Sequence, residues 1–151
     1  MIHSEHFGSK IITGFYHPET YLNKILIGFS NGELMIFNIK TKLSIHSFSE
    51  FVGKSLTAIS GSPDPDIVAL GFVDGCVSFF ELQKAQNLFN LKIDGAVSAF
   101  AFRSDELAHL AVGSARGDVH IFDLDSQKLE HIVPMHSKSV SSLFFVPRQP
   151  L

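Results

Sequence analysis

Apolar runs of five or six residues alternate with short polar turns along the chain. No stretch of ordinary helix length carries a 3.6-residue period. Three segments superpose. The first is Ile25-Leu26-Ile27-Gly28-Phe29-Ser30-Asn31-Gly32-Glu33-Leu34-Met35-Ile36-Phe37-Asn38. The second is Val68-Ala69-Leu70-Gly71-Phe72-Val73-Asp74-Gly75-Cys76-Val77-Ser78-Phe79-Phe80-Glu81. The third is Leu110-Ala111-Val112-Gly113-Ser114-Ala115-Arg116-Gly117-Asp118-Val119-His120-Ile121-Phe122-Asp123. Gly32, Gly75 and Gly117 lie 43 and then 42 residues apart, and Phe37, Phe80 and Phe122 keep the same two spacings. A fixed period of this size marks a repeat architecture.

Each unit reads as a β-hairpin. An apolar strand enters an Asn-Gly or Asp-Gly type of turn, whose glycine takes positive φ without steric cost. The strand that follows alternates, with Leu34 and Ile36 on one side and Met35 and Phe37 on the other. That period of two predicts one face more buried than the other. Further alternating strands precede the hairpins at residues 56–60, 97–102 and 140–145, with a weaker one at 11–15. A polar turn and an outer strand such as residues 43–48 complete each unit.

The pattern predicts an all-β chain: an N-terminal tail over 1–10, then blades at about 11–48, 56–93 and 97–133, and one strand of a next blade at 140–146. That makes thirteen strands. Four-stranded units of about 40 to 45 residues with aromatic-acid endings are the signature of a WD-repeat β-propeller. Phe37-Asn38, Phe80-Glu81 and Phe122-Asp123 occupy the place of the Trp-Asp dipeptide. Asp94-Gly95 and Met135-His136 take that of the Gly-His pair, which gives His136 a structural role. Asn31 and Asp74 match the polar residue of the hairpin turn, and Arg116 departs from it. Three blades and a strand leave the ring incomplete, so the chain is expected to be an excerpt of a longer polypeptide. Apolar blade faces left in water make self-association of copies the second expectation.

Composition narrows the function classes. The chain has 151 residues, 45% hydrophobic and 18% charged, which suits a single folded domain and excludes disorder. A net charge of −3 argues against a dedicated nucleic-acid-binding domain, whose affinity rests on a positive field. Fifteen Phe beside two Tyr and no Trp fit pleated, half-buried surfaces. The one cysteine, Cys76, forms no internal disulfide and no Cys/His metal spacing, so a reducing compartment is expected. Neither a membrane-length apolar run nor a secretory signal pattern is present, and no membrane partner is expected.

The segment His17-Pro18-Glu19-Thr20-Tyr21-Leu22-Asn23-Lys24-Ile25-Leu26-Ile27-Gly28 resembles one family. It is that of the WD-repeat protein of the small-subunit processome, U-three-associated protein twenty-one or WD-repeat protein thirty-six. The likeness continues through Asp66-Ile67-Val68-Ala69-Leu70-Gly71, Phe100-Ala101-Phe102-Arg103-Ser104-Asp105 and His136-Ser137. The resemblance implies a nucleolar, hence nuclear, scaffold with tandem propellers, of which this is an interior part of the first. It also implies membership of the UtpB subcomplex and a place in pre-rRNA processing. Its expected partners are other processome subunits, with pre-rRNA or snoRNA reached indirectly. A WD-repeat adaptor in trafficking or ubiquitin ligation is the alternative.

Candidate chemistry is sparse. Gly28-Phe29-Ser30-Asn31-Gly32 spells G-x-S-x-G, but a nucleophile elbow needs a helix after the turn and a strand pattern follows. His46, His109, His120 and His131 fall on different predicted strands and read as satisfied or exposed structural residues. Arg116-Gly117-Asp118 is a hairpin turn, and no phosphate-cradling glycine motif occurs. No enzyme, cofactor or metal is therefore expected. Lys54, Arg116 and Lys138 are the candidate partner contacts, all in loops at one rim. Gly32, Gly75, Gly117, Phe37, Phe80, Phe122, Asp123 and His136 are the structural repeat positions.

Overall fold

The computed structural model describes residues 11–17, 22–64, 66–103, 108–134, 140 and 143. Among them are twelve strands and no helix. Sheet one holds β1 (Ile12–Tyr16), β2 (Lys24–Phe29), β3 (Leu34–Asn38) and β4 (Leu43–Phe48). Sheet two holds β5 (Leu56–Gly61), β6 (Ile67–Phe72), β7 (Cys76–Glu81) and β8 (Gln86–Lys92). Sheet three holds β9 (Val97–Phe102), β10 (His109–Ser114), β11 (Asp118–Asp123) and β12 (Lys128–Pro134). Each is an antiparallel meander in chain order, and β5 packs beside both β1 and β9. The first strands thus lie side by side at the axis, and the sheets radiate from it as blades. The predicted thirteenth strand at 140–146 falls outside the described residues except for Val140 and Leu143.

The pleat assigns each side chain to a face, because directly paired residues share one. Leu26 and Leu34 of blade one meet Val68, Leu70, Phe72 and Phe80 of blade two in one core. Ala69, Val77 and Phe79 of blade two meet Leu110, Val112 and Phe122 of blade three in a second. The expectation of one dominant buried face fails for the middle strands. In β6 only Ile67 is even partly exposed, because blade two lies between blades one and three. A strand covered on both sides reads as an apolar run rather than an alternation.

The outward faces of the two end blades are buried at their centres. On the face of blade one turned away from blade two, Ile27 and Phe29 are fully buried. On the far face of blade three Ala111 and Val119 are buried, with Val140 and Leu143 packed among them. Exposed apolar side chains lie instead in loops and on strands away from these centres, among them Leu22, Leu43 and Ile45 of blade one and Leu129, Ile132 and Val133 of β12, and Ile39 is about half exposed whereas its counterpart Leu82 is 4% exposed.

Candidate interaction surface

The rim of this arc is built from the hairpins within blades and the loops between them. Gly32, Gly75 and Gly117 have φ of 91°, 89° and 98°. Each donates its N–H to the carbonyl three residues back: Gly32 to Phe29, Gly75 to Phe72 and Gly117 to Ser114. The left-handed glycine is therefore the third residue of a three-residue loop, a type I turn closed by a G1 bulge. A Cβ on Gly32 would overlap the carbonyl oxygen of Phe51, and one on Gly75 that of Ile93. The first two hairpins are thus seated on the loops that leave their own blades, and Gly53 N–H to Asn31 O (2.9 Å) ties loop to hairpin in blade one.

The polar residue of the turn acts locally. Asn31 Oδ1 accepts from the Glu33 N–H at 2.9 Å, and Asp74 Oδ1 from the Cys76 N–H at 2.9 Å. Arg116 stands there in blade three and cannot accept. The buried Ser114 hydroxyl takes over, accepting from Arg116 N–H (3.1 Å) and Asp118 N–H (3.2 Å). Ser114 replaces Phe29 and Phe72 of the other blades, so one compensating substitution lies two residues from the other. At the opposite end of the hairpins Asn38 Oδ1 caps Lys40 N–H and Thr41 N–H, and Asp123 Oδ1 caps Asp125 N–H. Phe37, Phe80 and Phe122 are buried, and Phe80 sits edge-on to Phe48 (5.2 Å) and Phe51 (5.4 Å) at the junction of blades one and two.

Of the three candidate contacts, the structure brings two to this rim. Lys54 lies in the loop from β4 to β5, its Nζ 4.8 Å from the centre of the Phe72 ring. Arg116 is at the tip of the third hairpin, its stem over Gly95 in the loop from β8 to β9. Both are exposed. Lys138 lies outside the described residues, as does His136. Asp74, Asp94 and Asp118 share the rim with Lys54, Lys92 and Arg116, and Lys92 Nζ donates to the Asp74 carbonyl. The surface alternates in sign instead of forming the continuous positive stripe that a phosphate backbone selects.

The sequence reading missed two features. The G-x-S-x-G serine, Ser30, precedes β3 as expected, so no nucleophile elbow forms. His120, however, is not a satisfied residue: it is 2% exposed and its Nδ1 has no partner. Burial pushes its pKa below the ordinary histidine value, with Asp118 and then Asp94 pulling it back up. His109 meets Glu130 Oε2 at 3.0 Å through Nε2, and its Nδ1, like that of His120, is buried with no partner. At the axis, Thr13, Thr57, Ser60 and Ser98 line a cavity of about 340 Å³ together with Phe15 and Phe100. Among the described residues, no cluster of three or more His, Cys, Asp or Glu that would hold a metal occurs.

Separate four-stranded meanders set around an axis, with turn glycines and terminal phenylalanines in register, define a segment of a WD-repeat β-propeller. The solved structure of the RRP9 WD40 repeats has the same fold, with a TM-score of 0.75, 18% identity, and coverage of 90% of this chain and 42% of that one. Sequence comparison is narrower. The model of the WDR36/Utp21 first beta-propeller matches residues 2–151, and the chain belongs to that family. It is 36% identical over 141 residues to the U3 small nucleolar RNA-associated protein 21 homolog of Schizosaccharomyces pombe, covering 93% of this chain. It is 34% identical over 143 residues to human WD repeat-containing protein 36, again over 93% of the chain. The chain spans 16% of the length of each of these two relatives.

Proposed function

We propose that this chain is a non-catalytic scaffold segment of a ribosome-biogenesis factor in the small-subunit processome, within a UtpB-type assembly that serves pre-rRNA processing in the nucleolus. The observation that carries the reading is the family match over residues 2–151, strengthened by relatives whose names tie them to U3 small nucleolar RNA. The mechanism is rigid presentation. Stacked blades hold the hairpins and connecting loops in fixed relative positions, and the side chains of that rim supply the contacts. Lys54 and Arg116 belong to this contact set. The mixed charge of the rim favours protein partners, with pre-rRNA or snoRNA reached through them.

The test is affinity capture of the tagged chain from nucleolus-containing cells, with mass spectrometry before and after ribonuclease treatment. Enrichment of small-subunit processome proteins that survives ribonuclease is the expected result. Recovery of coat or ubiquitin-ligase subunits in their place would refute the assignment, and enrichment lost with ribonuclease would make RNA the direct contact.

A further inference from the structure

Four asparagines of the chain precede bulky residues: Asn23 before Lys24, Asn38 before Ile39, Asn87 before Leu88 and Asn90 before Leu91. Asn31 precedes Gly32. The side-chain amide of an asparagine is open to attack by the backbone nitrogen that follows it. Glycine has no Cβ, so it neither crowds that attack nor restricts the backbone rotation it needs. By sequence Asn31 is the most reactive of the five.

The fold holds the two reacting groups in place. The Gly32 N–H donates to Phe29 O at 2.9 Å, and the residue is buried. Base therefore does not reach the proton that must leave before this nitrogen can attack. The Asn31 side chain is exposed, but its Oδ1 is held by the Glu33 N–H at 2.9 Å. Its main-chain carbonyl accepts from the Gly53 N–H at 2.9 Å, which fixes the peptide unit between Asn31 and Gly32. Reaction requires this hairpin to open locally first. Blade two shows what an acid does at the same place. Asp74 precedes Gly75, which has φ of 89°, and Asp74 Oδ1 accepts from the Cys76 N–H at 2.9 Å. An aspartate at position 31 keeps the acceptor that the turn uses.

We infer that Asn31 is a site of spontaneous deamidation, gated by opening of the first hairpin, whose two products have opposite effects on the fold. In the open hairpin the Gly32 nitrogen loses its proton and bonds to Asn31 Cγ. The Cγ–Nδ2 bond breaks, Nδ2 leaves with one proton as ammonia, and a cyclic imide remains. Water then adds to one of the two imide carbonyls. Cleavage of the Cγ–N bond gives aspartate and restores the original main chain. Cleavage at the main-chain carbonyl carbon gives isoaspartate, in which the chain runs through Cβ and Cγ. The extra main-chain carbon displaces Gly32, and its seat has no room: a Cβ there would overlap Phe51 O and lie 2.7 Å from Lys54 O. Aspartate is silent in the fold, whereas isoaspartate lifts the hairpin off its loop. None of this depends on the processome assignment.

Peptide mapping by mass spectrometry, after incubation at neutral pH in buffer and in guanidinium chloride, follows the amide-to-acid mass gain at each asparagine. In denaturant Asn31 should react before the other four. In buffer its rate should fall about fivefold for each of the bonds held by Phe29 O and Asn31 Oδ1, roughly twenty-five-fold together. Asn31→Asp should unfold at the denaturant midpoint of the parent, and the isoaspartyl chain recovered by chromatography should unfold earlier. Equal rates at Asn31 in buffer and denaturant overturn the gate, and another asparagine reacting as fast in denaturant overturns the site. A destabilised Asn31→Asp, or an isoaspartyl chain as stable as the parent, overturns the roles of the two products.

Discussion

Two glycines at equivalent positions should respond differently to the same methyl group. Gly28 and Gly71 each lie on the second strand of a blade beneath a residue of the next blade's first strand. Gly71→Ala places a Cβ 2.6 Å from Val97 Cβ, an atom fixed to the backbone of β9, and 3.0 Å from Phe100 Cζ. Neither β9 nor the ring can retreat without opening the junction that buries Phe79 and Leu110. Overpacking of this kind is destabilising by about 1–3 kcal/mol. Removing glycine's excess chain entropy returns roughly 0.5–1 kcal/mol, so a net loss of about 1–2 kcal/mol remains. For a chain of this length that is a fall in Tm of roughly 2–8 °C. Gly28→Ala meets Leu56 Cδ2 at 2.7 Å, the far end of a side chain that turns away by changing rotamer. The entropy term then offsets most of the clash, and the expected change is within about 0.5 kcal/mol of zero. Chemical denaturation of the two variants beside the parent chain decides it. Equal losses in both, or a larger loss at Gly28, would refute the claim that backbone-anchored contact sets the spacing between blades.

Two further outcomes follow from the same junctions. Thr57→Val keeps the shape but leaves the Val97 carbonyl without its hydroxyl donor, so stability should drop by about 1–2 kcal/mol at constant denaturant slope. A drop within error of zero would mean that water takes the donor's place. His120→Met restores the residue that Met35 is in blade one and should flatten the acid limb of the stability profile. Burial lowers the folded pKa of His120, so the unfolded chain binds more protons in the window below the ordinary value near 6.5. Stability is complete above that value and is lost as pH falls from it through the lowered folded pKa, at no more than about 1.4 kcal/mol per pH unit. Parallel profiles for the parent and His120→Met as pH falls from about 6.5 would show that another group governs the limb.

Much of the blade plan was legible because it is written in short windows. A left-handed glycine with an Asx residue before it, flanked by apolar runs, specifies a hairpin within about ten residues. Two such hairpins and a third with Arg116 in place of the Asx residue, 43 and 42 residues apart, specify the repeat, and β4 spans the same Leu43–Phe48 read from the pattern. Other features were not legible for identifiable reasons. Arg116 looked like a departure from the turn, but the acceptor had moved two residues back to Ser114, at a position that is phenylalanine in the other blades. Lys42, Ala85 and Gln127 adopt left-handed φ of 61°, 51° and 56° at equivalent places, with nothing in their chemistry to announce it. The rim bases Lys54 and Arg116 were located as loop residues, but the acids beside them come from different loops.

What the chain's order of residues determined by itself is the hairpin, its period and hence the class of fold, because turn geometry and strand pleat depend on neighbours a few positions apart. Tertiary structure decided the rest. Which faces are buried, which hydroxyl reaches which carbonyl and how closely a glycine is approached depend on residues some 40 positions apart, as Thr13 and Leu56 or Thr57 and Val97 are. Such pairs meet only when blades stack, and stacking is driven by apolar burial, which is non-directional. Shape and hydrogen bonding then select one register among many that would bury the same area.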